Sequence, residues 1–307
     1  MKNNLAVLLI FYARPNTLLE VFKKVKLAKP AKLFLACDGP RANGEEKQRI
    51  EECKKIVESI DWKCEVHKRY SEVNRGCGLG PSEAISWAFE FTDRLIVLED
   101  DCVPDDTFFP FMEEMLERFK DDSRVGFISG FNHFRTWNCG SYSYFFAKTA
   151  ATLGWGTWKR VWDLYDFNLR TASDPYLKEA VLGNFSSKRI AFKRYNSWEK
   201  VLNSSAAPNY WDVQFGFLKY SQSFLGVVPK ANLICNIGVG VGSTHTENRK
   251  KRPWKKGDIL FMPTTSMSFP INHTNFVVCD NSYDIKVQKL IFEKRIIKRI
   301  FRKIFKR

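Results

Sequence analysis

The sequence has no C-x-x-C pair and no group of cysteines and histidines at the spacing of a zinc site. Its eight cysteines are scattered along the chain. A chain of 307 residues can bury a substantial core without covalent cross-links. We therefore interpret the cysteines as reduced thiols and expect a cytoplasmic protein.

Long apolar runs are also missing. The sequence nowhere has the roughly 18 consecutive apolar residues that a membrane-spanning helix requires. The apolar stretch at residues 5–12 is short, runs into Arg14 and Pro15, and has no small-residue cleavage site. It predicts a first strand rather than a signal peptide.

The standard nucleotide-binding loops are absent as well. Residues 74–80 contain G-x-G-x-G, which is neither the dinucleotide motif G-x-G-x-x-G nor a P-loop with its Lys-Ser/Thr. Glycines that lead into a helix, here predicted to begin near Pro81, let backbone N–H groups approach a phosphate, and Arg75 adds positive charge. We interpret the segment as nucleotide-binding, with Arg75 as a donor contact. The alternative is a flexible loop before a helix.

The net charge of +15 is concentrated at one end of the chain. Residues 286–307 contain ten Lys or Arg against Glu293 alone. One face of a predicted helix there is apolar and consists of Ile296, Ile297, Ile300, Phe301, Ile304 and Phe305. A cationic amphipathic helix of this kind favours an anionic membrane surface, so we expect peripheral association with the inner face of the cell membrane. The alternatives are a helix packed on the domain with a solvated basic face, and a nucleic-acid contact, which we do not expect because no such motif occurs elsewhere.

Strands and helices alternate in the first half of the chain. Strands are predicted near residues 5–12, 32–37, 63–68 and 95–98, and helices from residue 15 and over about 45–60, 81–91 and 108–119. This alternation is typical of a mostly parallel sheet flanked by helices. The predicted fold class is therefore α/β and Rossmann-like, followed by a basic amphipathic helix at the C-terminus.

Three consecutive carboxylates, Glu99, Asp100 and Asp101, end the apolar strand at residues 95–98. Adjacent acids repel one another, and a divalent cation held by oxygen ligands relieves this repulsion. Arg14 and Asp38 also follow predicted strands. Ligands of such sheets collect at the carboxyl ends of the strands. The sequence therefore predicts metal-assisted chemistry on a phosphorylated ligand.

Two residues in the second half are further candidates. Asp212 follows Tyr210 and Trp211, and we interpret it either as a catalytic base or as a hydrogen-bonded acid at a helix start. His245 lies in a glycine-rich stretch and either ligates a metal or phosphate, or is structural. The basic run 249–252 is either a lid over a diphosphate or a solvated loop.

Several of these segments, taken in order, resemble the GT-A fold nucleotide-sugar glycosyltransferases, and more narrowly the N-acetylglucosaminyltransferase I type with its E-D-D motif. The resemblance covers about residues 4–250. The matching segments are 11–15, 38–39, 97–101, 104–109, 153–156 and 210–212. An ordered set of motifs is more specific than an acidic triplet alone.

The resemblance implies a role for each matching residue. Asp101 would bind a divalent metal, Mn²⁺ or Mg²⁺, with His245 as a further candidate ligand. Glu99 and Asp100 would contact the donor sugar or ribose. Arg14 and Asp38 would hold the nucleotide, the latter at its base.

The resemblance also implies that Asp212 is the catalytic base of an inverting transfer. Here Trp-Asp-Val stands where the family has Trp followed by two acids, so this assignment depends on one carboxylate. The expected reaction moves a sugar, with N-acetylglucosamine from UDP as the first expectation, to a glycan or lipid-linked saccharide.

We expect residues 1–130 to form the nucleotide-sugar and metal-binding half, 131–280 the acceptor and catalytic half, and 281–307 the basic tail. A rival hypothesis is a sugar-phosphate nucleotidylyltransferase, although the G-x-G-T-R-type loop of that family is absent. A second rival is a non-catalytic sugar- or nucleic-acid-binding protein.

Overall fold

The computed structural model describes residues 5–42, 44–204, 210–238 and 258–292. Eight strands form one sheet in the order β3-β2-β1-β4-β8-β6-β9-β7, and β5 pairs with β10 in a second, two-stranded sheet. The strands are β1 (Ala6–Phe11), β2 (Lys32–Cys37), β3 (Glu65–Tyr70), β4 (Arg94–Glu99), β5 (Cys102–Pro104), β6 (Val125–Ser129), β7 (Tyr144–Ala147), β8 (Trp155–Trp158), β9 (Leu225–Pro229) and β10 (Ile234–Asn236).

Helices cover the sheet and build a smaller unit beside it. They are α1 (Pro15–Ala28), α2 (Lys47–Glu58), α3 (Gly76–Ala88), α4 (Phe108–Arg118), α5 (Lys159–Trp162), α6 (Pro175–Leu182), α7 (Lys188–Leu202), α8 (Asp212–Ser221) and α9 (Asn281–Phe292), with a 3₁₀ turn at Arg170–Ser173.

The first half of the chain forms a parallel sheet. Strand β1 pairs in parallel with both β2 and β4, and β2 pairs in parallel with β3. Strands buried on both faces read as continuous apolar runs, which is the pattern of β1 and β4. The predicted α/β class, with a mostly parallel sheet flanked by helices, is therefore confirmed.

The second half adds antiparallel pairs. Strand β8 lies antiparallel between β4 and β6, β9 pairs in parallel with β6, and β7 closes the far edge antiparallel to β9. The sheet is thus parallel at its β3–β4 end and mixed beyond it. One sheet spans residues that we had assigned to two halves, and the predicted boundary at residue 130 stays a prediction.

Helix α3 begins earlier than the sequence predicts. The predicted helix starts near Pro81, whereas α3 starts at Gly76 and includes Pro81. The backbone N–H groups of Arg75 and Gly76 donate to the carboxylate of Asp38, at 2.7 and 2.8 Å. This acceptor takes the place of a local N-cap side chain, so the helix extends back through the glycines.

A second hydrophobic cluster lies apart from the main core. It is formed by residues of the 3₁₀ turn, α6, α7 and α8, with Tyr195, Trp198, Phe217 and Tyr220 at its centre. Helix α8 contributes to both clusters, because Phe215 and Leu218 belong to the main core. The start of α8 is therefore held between the sheet and this helical unit.

Helix α9 docks against the sheet through Asp284. Its carboxylate accepts hydrogen bonds from the N–H groups of Lys148 and Thr149 and from the Thr149 hydroxyl, at 3.1, 3.0 and 2.6 Å. Of the predicted basic tail, the structure describes α9 to Phe292, and residues 293–307 lie outside the described part. No helix among the described residues is both long and apolar enough to cross a bilayer.

Candidate active site

A cavity of about 480 Å³ opens at the carboxyl ends of β1, β2 and β4. All five predicted donor contacts line it: Arg14, Asp38, Arg75, Glu99 and Asp100. Its volume lies within the range of roughly 300–1,000 Å³ that is typical of small-molecule sites. The structure thus brings these five side chains together, while their roles in binding stay predictions.

The lining residues follow the order of the strands. Arg69 lies on β3, Asp38 follows β2, Tyr12 follows β1, and Glu99 ends β4. Neighbouring strands are about 4.8 Å apart, so this row extends about 14 Å. An elongated ligand lying across the strand ends would contact each of them in turn.

Asp38 fixes the segment that carries the glycines. Its Oδ1 atom accepts from the N–H groups of Gly39 and Arg75, at 2.9 and 2.7 Å, and its Oδ2 atom from that of Gly76, at 2.8 Å. Burial raises the pKa of Asp38, and these donors offset part of the rise. The side chain therefore joins the end of β2 to the start of α3 while it also lines the cavity.

The chain turns sharply between β1 and α1. Ala13 has a φ of 48°, in the left-handed region that residues with a Cβ seldom adopt. This turn precedes Arg14, whose guanidinium pairs with both Asp100 and Asp101, the latter at 2.9 Å. The Tyr12 N–H also donates to Asp100, at 2.8 Å. The strained turn thus ties the end of β1 to the acidic triplet.

The acidic triplet carries more charge than its surroundings neutralise. Burial raises the pKa values of Glu99 and Asp100, and the charge of Asp101 raises them further, while Arg14 opposes the rise. The two aspartates raise the pKa of Arg14 in spite of its burial. One guanidinium thus faces three carboxylates, which leaves an excess of negative charge at the carboxyl end of β4.

Carboxylate oxygens are the ligands that a hard divalent cation prefers, which is the reason for the predicted metal site. Asp101, the predicted metal ligand, is 8% exposed. Its carboxylate contacts Arg14 and accepts from Asn236 Nδ2 at 3.3 Å, next to Gly238. Within the described ranges no group of three His, Cys, Asp or Glu is arranged to hold a metal. His245 lies outside those ranges, so both metal assignments stay predictions.

The guanidinium of Arg75 pairs with an acid at the cavity rather than lying free. Its Nη2 atom is 2.5 Å from Glu83, and Arg69 pairs with the same carboxylate at 3.0 Å. Two cations thus share one anion, and all three residues line the cavity. This end of the row is positively charged, in contrast to the end at Glu99.

Tyr12 and Arg41 line the cavity although the sequence analysis did not select them as site residues, and Glu46 pairs with Arg41. The guanidinium of Arg41 is 5.8 Å from the ring centre of Tyr12 and pairs with Glu46 at 2.9 Å. Glu46 is 4% exposed. Its Oε2 atom and the Tyr12 hydroxyl are both buried without a hydrogen-bond partner among the described residues. Tyr12 belongs to the matching segment 11–15 that also contains Arg14, but Arg41 and Glu46 gave no sequence signal.

Tyr210 and Trp211 form part of the cavity wall. The ring of Trp211 stacks on Trp155, with centroids 5.4 Å apart and an angle of 18° between the planes. Its carbonyl accepts from the Tyr165 hydroxyl at 3.1 Å. Tyr210 leaves 45% of its surface exposed. The aromatic neighbours thus hold the start of α8 against the cavity.

Asp212 is the first residue of α8 and is exposed. It follows directly on the two aromatic lining residues. Burial raises the pKa values of Cys77 and Tyr165, and the charge of Asp212 adds to both rises. Cys77 lines the cavity, so the carboxylate of Asp212 acts on groups at the site. Its role as a base stays a prediction.

No family model matches the chain, and no curated protein matches it by sequence. Among solved structures, the chain is similar to 4-diphosphocytidyl-2C-methyl-D-erythritolsynthase from Anaerococcus prevotii DSM 20548, with 11% identity and a TM-score of 0.36 over 74% of this chain and 88% of that one. It is also similar to HddC from Yersinia pseudotuberculosis, with 10% identity and a TM-score of 0.32 over 52% of this chain and 80% of that one. Neither match singles out a glycosyltransferase.

Proposed function

We propose that this chain is a glycosyltransferase that uses a nucleotide-sugar donor and releases a nucleoside diphosphate. The observation that carries the proposal is the polarity of the cavity. Arginines line it at β3 and at the start of α3, and carboxylates line it at β4. A nucleotide sugar also carries groups of different kinds along its length, with an anionic diphosphate between a base and a neutral sugar, so it suits a cavity whose lining changes in charge from one end to the other.

The nucleoside would lie near Tyr12, Asp38 and Arg41. A purine or pyrimidine stacks on flat groups such as the Tyr12 ring or the Arg41 guanidinium. The acceptor atoms of Asp38 suit the N–H groups of a base. The choice of uridine rests on the resemblance to the N-acetylglucosaminyltransferase I type.

The sugar end would lie near the acidic triplet and Arg14. The carboxylate of Asp101 would hold Mn²⁺ or Mg²⁺ beside the diphosphate, while Arg14 keeps Asp100 in place. The ion would neutralise the negative charge that develops on the leaving phosphate. Glu99 and Asp100, which line the cavity, would orient the hydroxyl groups of the sugar.

Asp212 would take the proton from the hydroxyl group of the acceptor. It is exposed at the start of α8, next to the cavity wall formed by Tyr210 and Trp211, so an acceptor can reach it from solvent. Direct attack by that hydroxyl, opposite the departing diphosphate, inverts the anomeric configuration. The expected acceptors are glycans or lipid-linked saccharides.

One observation favours a second candidate, a sugar-phosphate nucleotidylyltransferase. Arg41, Arg69 and Arg75 all line the cavity near the ends of β2 and β3. Three arginines would suit the triphosphate of a nucleotide substrate as well as a diphosphate. In that reaction the chain would release pyrophosphate instead of a nucleoside diphosphate.

The released product distinguishes the two reactions. We would incubate the full chain with a panel of nucleotide sugars and, separately, with nucleoside triphosphates and sugar phosphates, with and without Mn²⁺. Metal-dependent release of nucleoside diphosphate supports the transferase, and pyrophosphate release from the triphosphate mixture supports the alternative.

The variant Asp101→Asn tests the metal assignment, with Asp106→Asn on the exposed surface as its matched control. Turnover should fall in the first variant and persist in the second. Full activity in Asp101→Asn would exclude Asp101 as an essential ligand.

A further inference from the structure

Two features of the first turns of α7 are unfavourable for a helix that is surrounded by water: cations at its N-terminus and an exposed phenylalanine. Lys188 and Arg189 stand at its start, where the helix dipole disfavours cations, and no acid occurs in that turn. Phe192 follows one turn later and leaves 66% of its surface exposed. From residue 183 to residue 196 the sequence has four Lys or Arg and no acid. An anionic surface with an apolar interior would make all of these features favourable.

Helix α9 lies beside this turn. The N–H of Ser186 donates to the side chain of Gln288 at 2.8 Å. The exposed side of α9 carries Ile285, Lys286 and Lys289. Phe292, the end of α9, lies four residues beyond Gln288, or about 6 Å along the helix axis. The chain thus enters its last fifteen residues, of which eight are Lys or Arg, next to the cationic turn of α7.

We propose that the start of α7 and the exposed side of α9 form one docking surface for an anionic phospholipid bilayer. We name it the α7–α9 surface; it consists of Lys188, Arg189, Phe192, Ile285, Lys286 and Lys289. The lysines and arginines contact lipid phosphates, and Phe192 inserts among the acyl chains at the interface. The surface belongs to the folded domain, so it fixes the orientation of the domain on the membrane and does not act merely as a tether. This inference does not depend on the proposed sugar transfer.

The test measures binding of the full chain to vesicles of phosphatidylcholine with and without phosphatidylglycerol, by co-sedimentation. Lys188→Gln/Arg189→Gln should lower the partition coefficient on anionic vesicles about 30-fold, from about 1 kcal/mol per cation near the surface. Phe192→Ser should lower it about tenfold. Binding to vesicles of phosphatidylcholine alone should be weak for every variant.

Matched controls distinguish binding through this surface from a nonspecific attraction between the positively charged chain and anionic vesicles. Lys55→Gln/Lys63→Gln removes the same charge near β3, at the opposite end of the sheet from β7 and α9. Tyr176→Ser removes an aromatic ring that is 84% exposed at the start of α6. Lys178 of α6 pairs with Glu199 near the end of α7, so Tyr176 lies at the far end of this helix pair from Ser186. Both controls should change binding less than twofold.

All the substituted side chains are exposed, and thermal unfolding checks that each variant is folded. Selective loss in the Lys188/Arg189 and Phe192 variants supports the proposal. It is overturned if the wild-type chain does not bind anionic vesicles, if those variants lose less than twofold, or if the controls lose as much.

Discussion

The two halves of the sheet bury polar groups of different kinds. At the ends of β1, β2 and β4 the buried groups are charged, and some atoms, such as Glu46 Oε2, have no partner among the described residues. Around β6, β8 and β9 many are neutral and hydrogen-bonded: Thr157 donates to Gly126 O at 2.7 Å and Ser129 to Ala151 O at 2.7 Å. Both regions leave some buried polar atoms without a partner among the described residues, such as His133 Nδ1 and Gln214 Oε1 in the second. The two regions therefore differ in charge: the first concentrates carboxylates and arginines, whereas the buried polar groups of the second are mostly neutral.

The contrast implies opposite responses to substitution. Buried neutral groups that are fully hydrogen-bonded contribute to stability, and their loss is felt in folding. Crowded charges at a site oppose folding and are retained for function. Four predictions test the contrast, in order of decreasing size.

Glu99→Gln should separate activity from stability. It removes one of three crowded carboxylates, so the free energy of unfolding should stay the same or rise, because both burial and repulsion disfavour the charged form. Turnover should fall about 100- to 1,000-fold, the usual cost of removing one electrostatic contact at a reacting centre. Thermal unfolding and product release measure the two quantities. Glu90→Gln, at an exposed position two residues after the end of α3, should change neither. A Glu99→Gln variant that is destabilised but keeps normal turnover would contradict the proposed difference between the two regions of the sheet.

Asn232→Ala should have the opposite effect, with a lower free energy of unfolding and unchanged turnover. Its Nδ2 atom donates to Ile234 O at 2.8 Å, and its Oδ1 atom accepts from the N–H of Asn132 at 3.2 Å. Truncation leaves buried backbone groups without partners, which costs about 2–3 kcal/mol in the free energy of unfolding. Denaturant titration measures this loss, with the exposed Asn168→Ala as control. Turnover of the folded fraction should be retained, and an unchanged midpoint would count against a structural role.

Arg41→Met should weaken nucleotide binding about tenfold, equal to about 1.4 kcal/mol, because a flat cationic contact is lost. Calorimetric titration with a nucleoside diphosphate, well below the unfolding temperature, provides the dissociation constant. The double variant Arg41→Met/Glu46→Gln should bind as weakly while recovering stability, since Glu46 is then no longer a buried charge without a partner. Arg49→Met on α2 serves as control. Equal binding by Arg41→Met and the wild type would place the nucleoside elsewhere.

Lys219 is a buried cation in the second region, and its Nζ donates to Ala150 O at 2.8 Å. Burial and, to a smaller extent, the charge of Arg194 lower its pKa from 10.5 to about 7, while Asp284 and Asp212 oppose the shift. Between these two values the unfolded chain binds more protons at this residue than the folded one. The stability of the wild-type chain should therefore rise with pH, by at most about 1.4 kcal/mol per pH unit.

Lys219→Met should remove this rise. Its free energy of unfolding, measured from pH 7 to pH 9, should change less with pH than that of the wild type. Lys159→Met, at an exposed position on α5, is the control and should keep the wild-type slope. If the free energy of unfolding changes equally with pH in the wild type and in Lys219→Met, Lys219 is charged in the folded state.

The sequence predicts elements that depend on local pattern and misses those that depend on distant partners. Strand β2 begins and ends at the predicted residues, because its apolar run is bounded by Lys32 and Asp38. The predicted start of α3 was wrong by five residues, because the group that caps it, the Asp38 carboxylate, follows β2 and is distant in sequence. Periodicity contains no information on such a contact.

The same distinction between local pattern and distant contacts applies to the residues of the cavity. Arg14, Asp38 and the acidic triplet could be selected because each lies at, or within three residues of, the carboxyl end of a strand of a parallel sheet. Arg41 and Glu46 could not, since Arg41 is selected by its contact with the Tyr12 ring and Glu46 by its pair with Arg41, neither of which has a sequence pattern. The α7–α9 surface was missed because its two helices are about a hundred residues apart in sequence. The predicted roles of His245 and of the run 249–252 lie outside the described residues.

The contacts of Asp38 limit how a ligand can be recognised there. A carboxylate has about four lone-pair positions, and three of them already accept backbone N–H groups. One position on Oδ2 remains for an incoming donor. A base that offers one N–H can thus bind without disturbing the protein, whereas a second donor must displace the N–H of Arg75 or Gly76. Discrimination between nucleotides at Asp38 would then be measurable as hydrogen exchange at the first turn of α3.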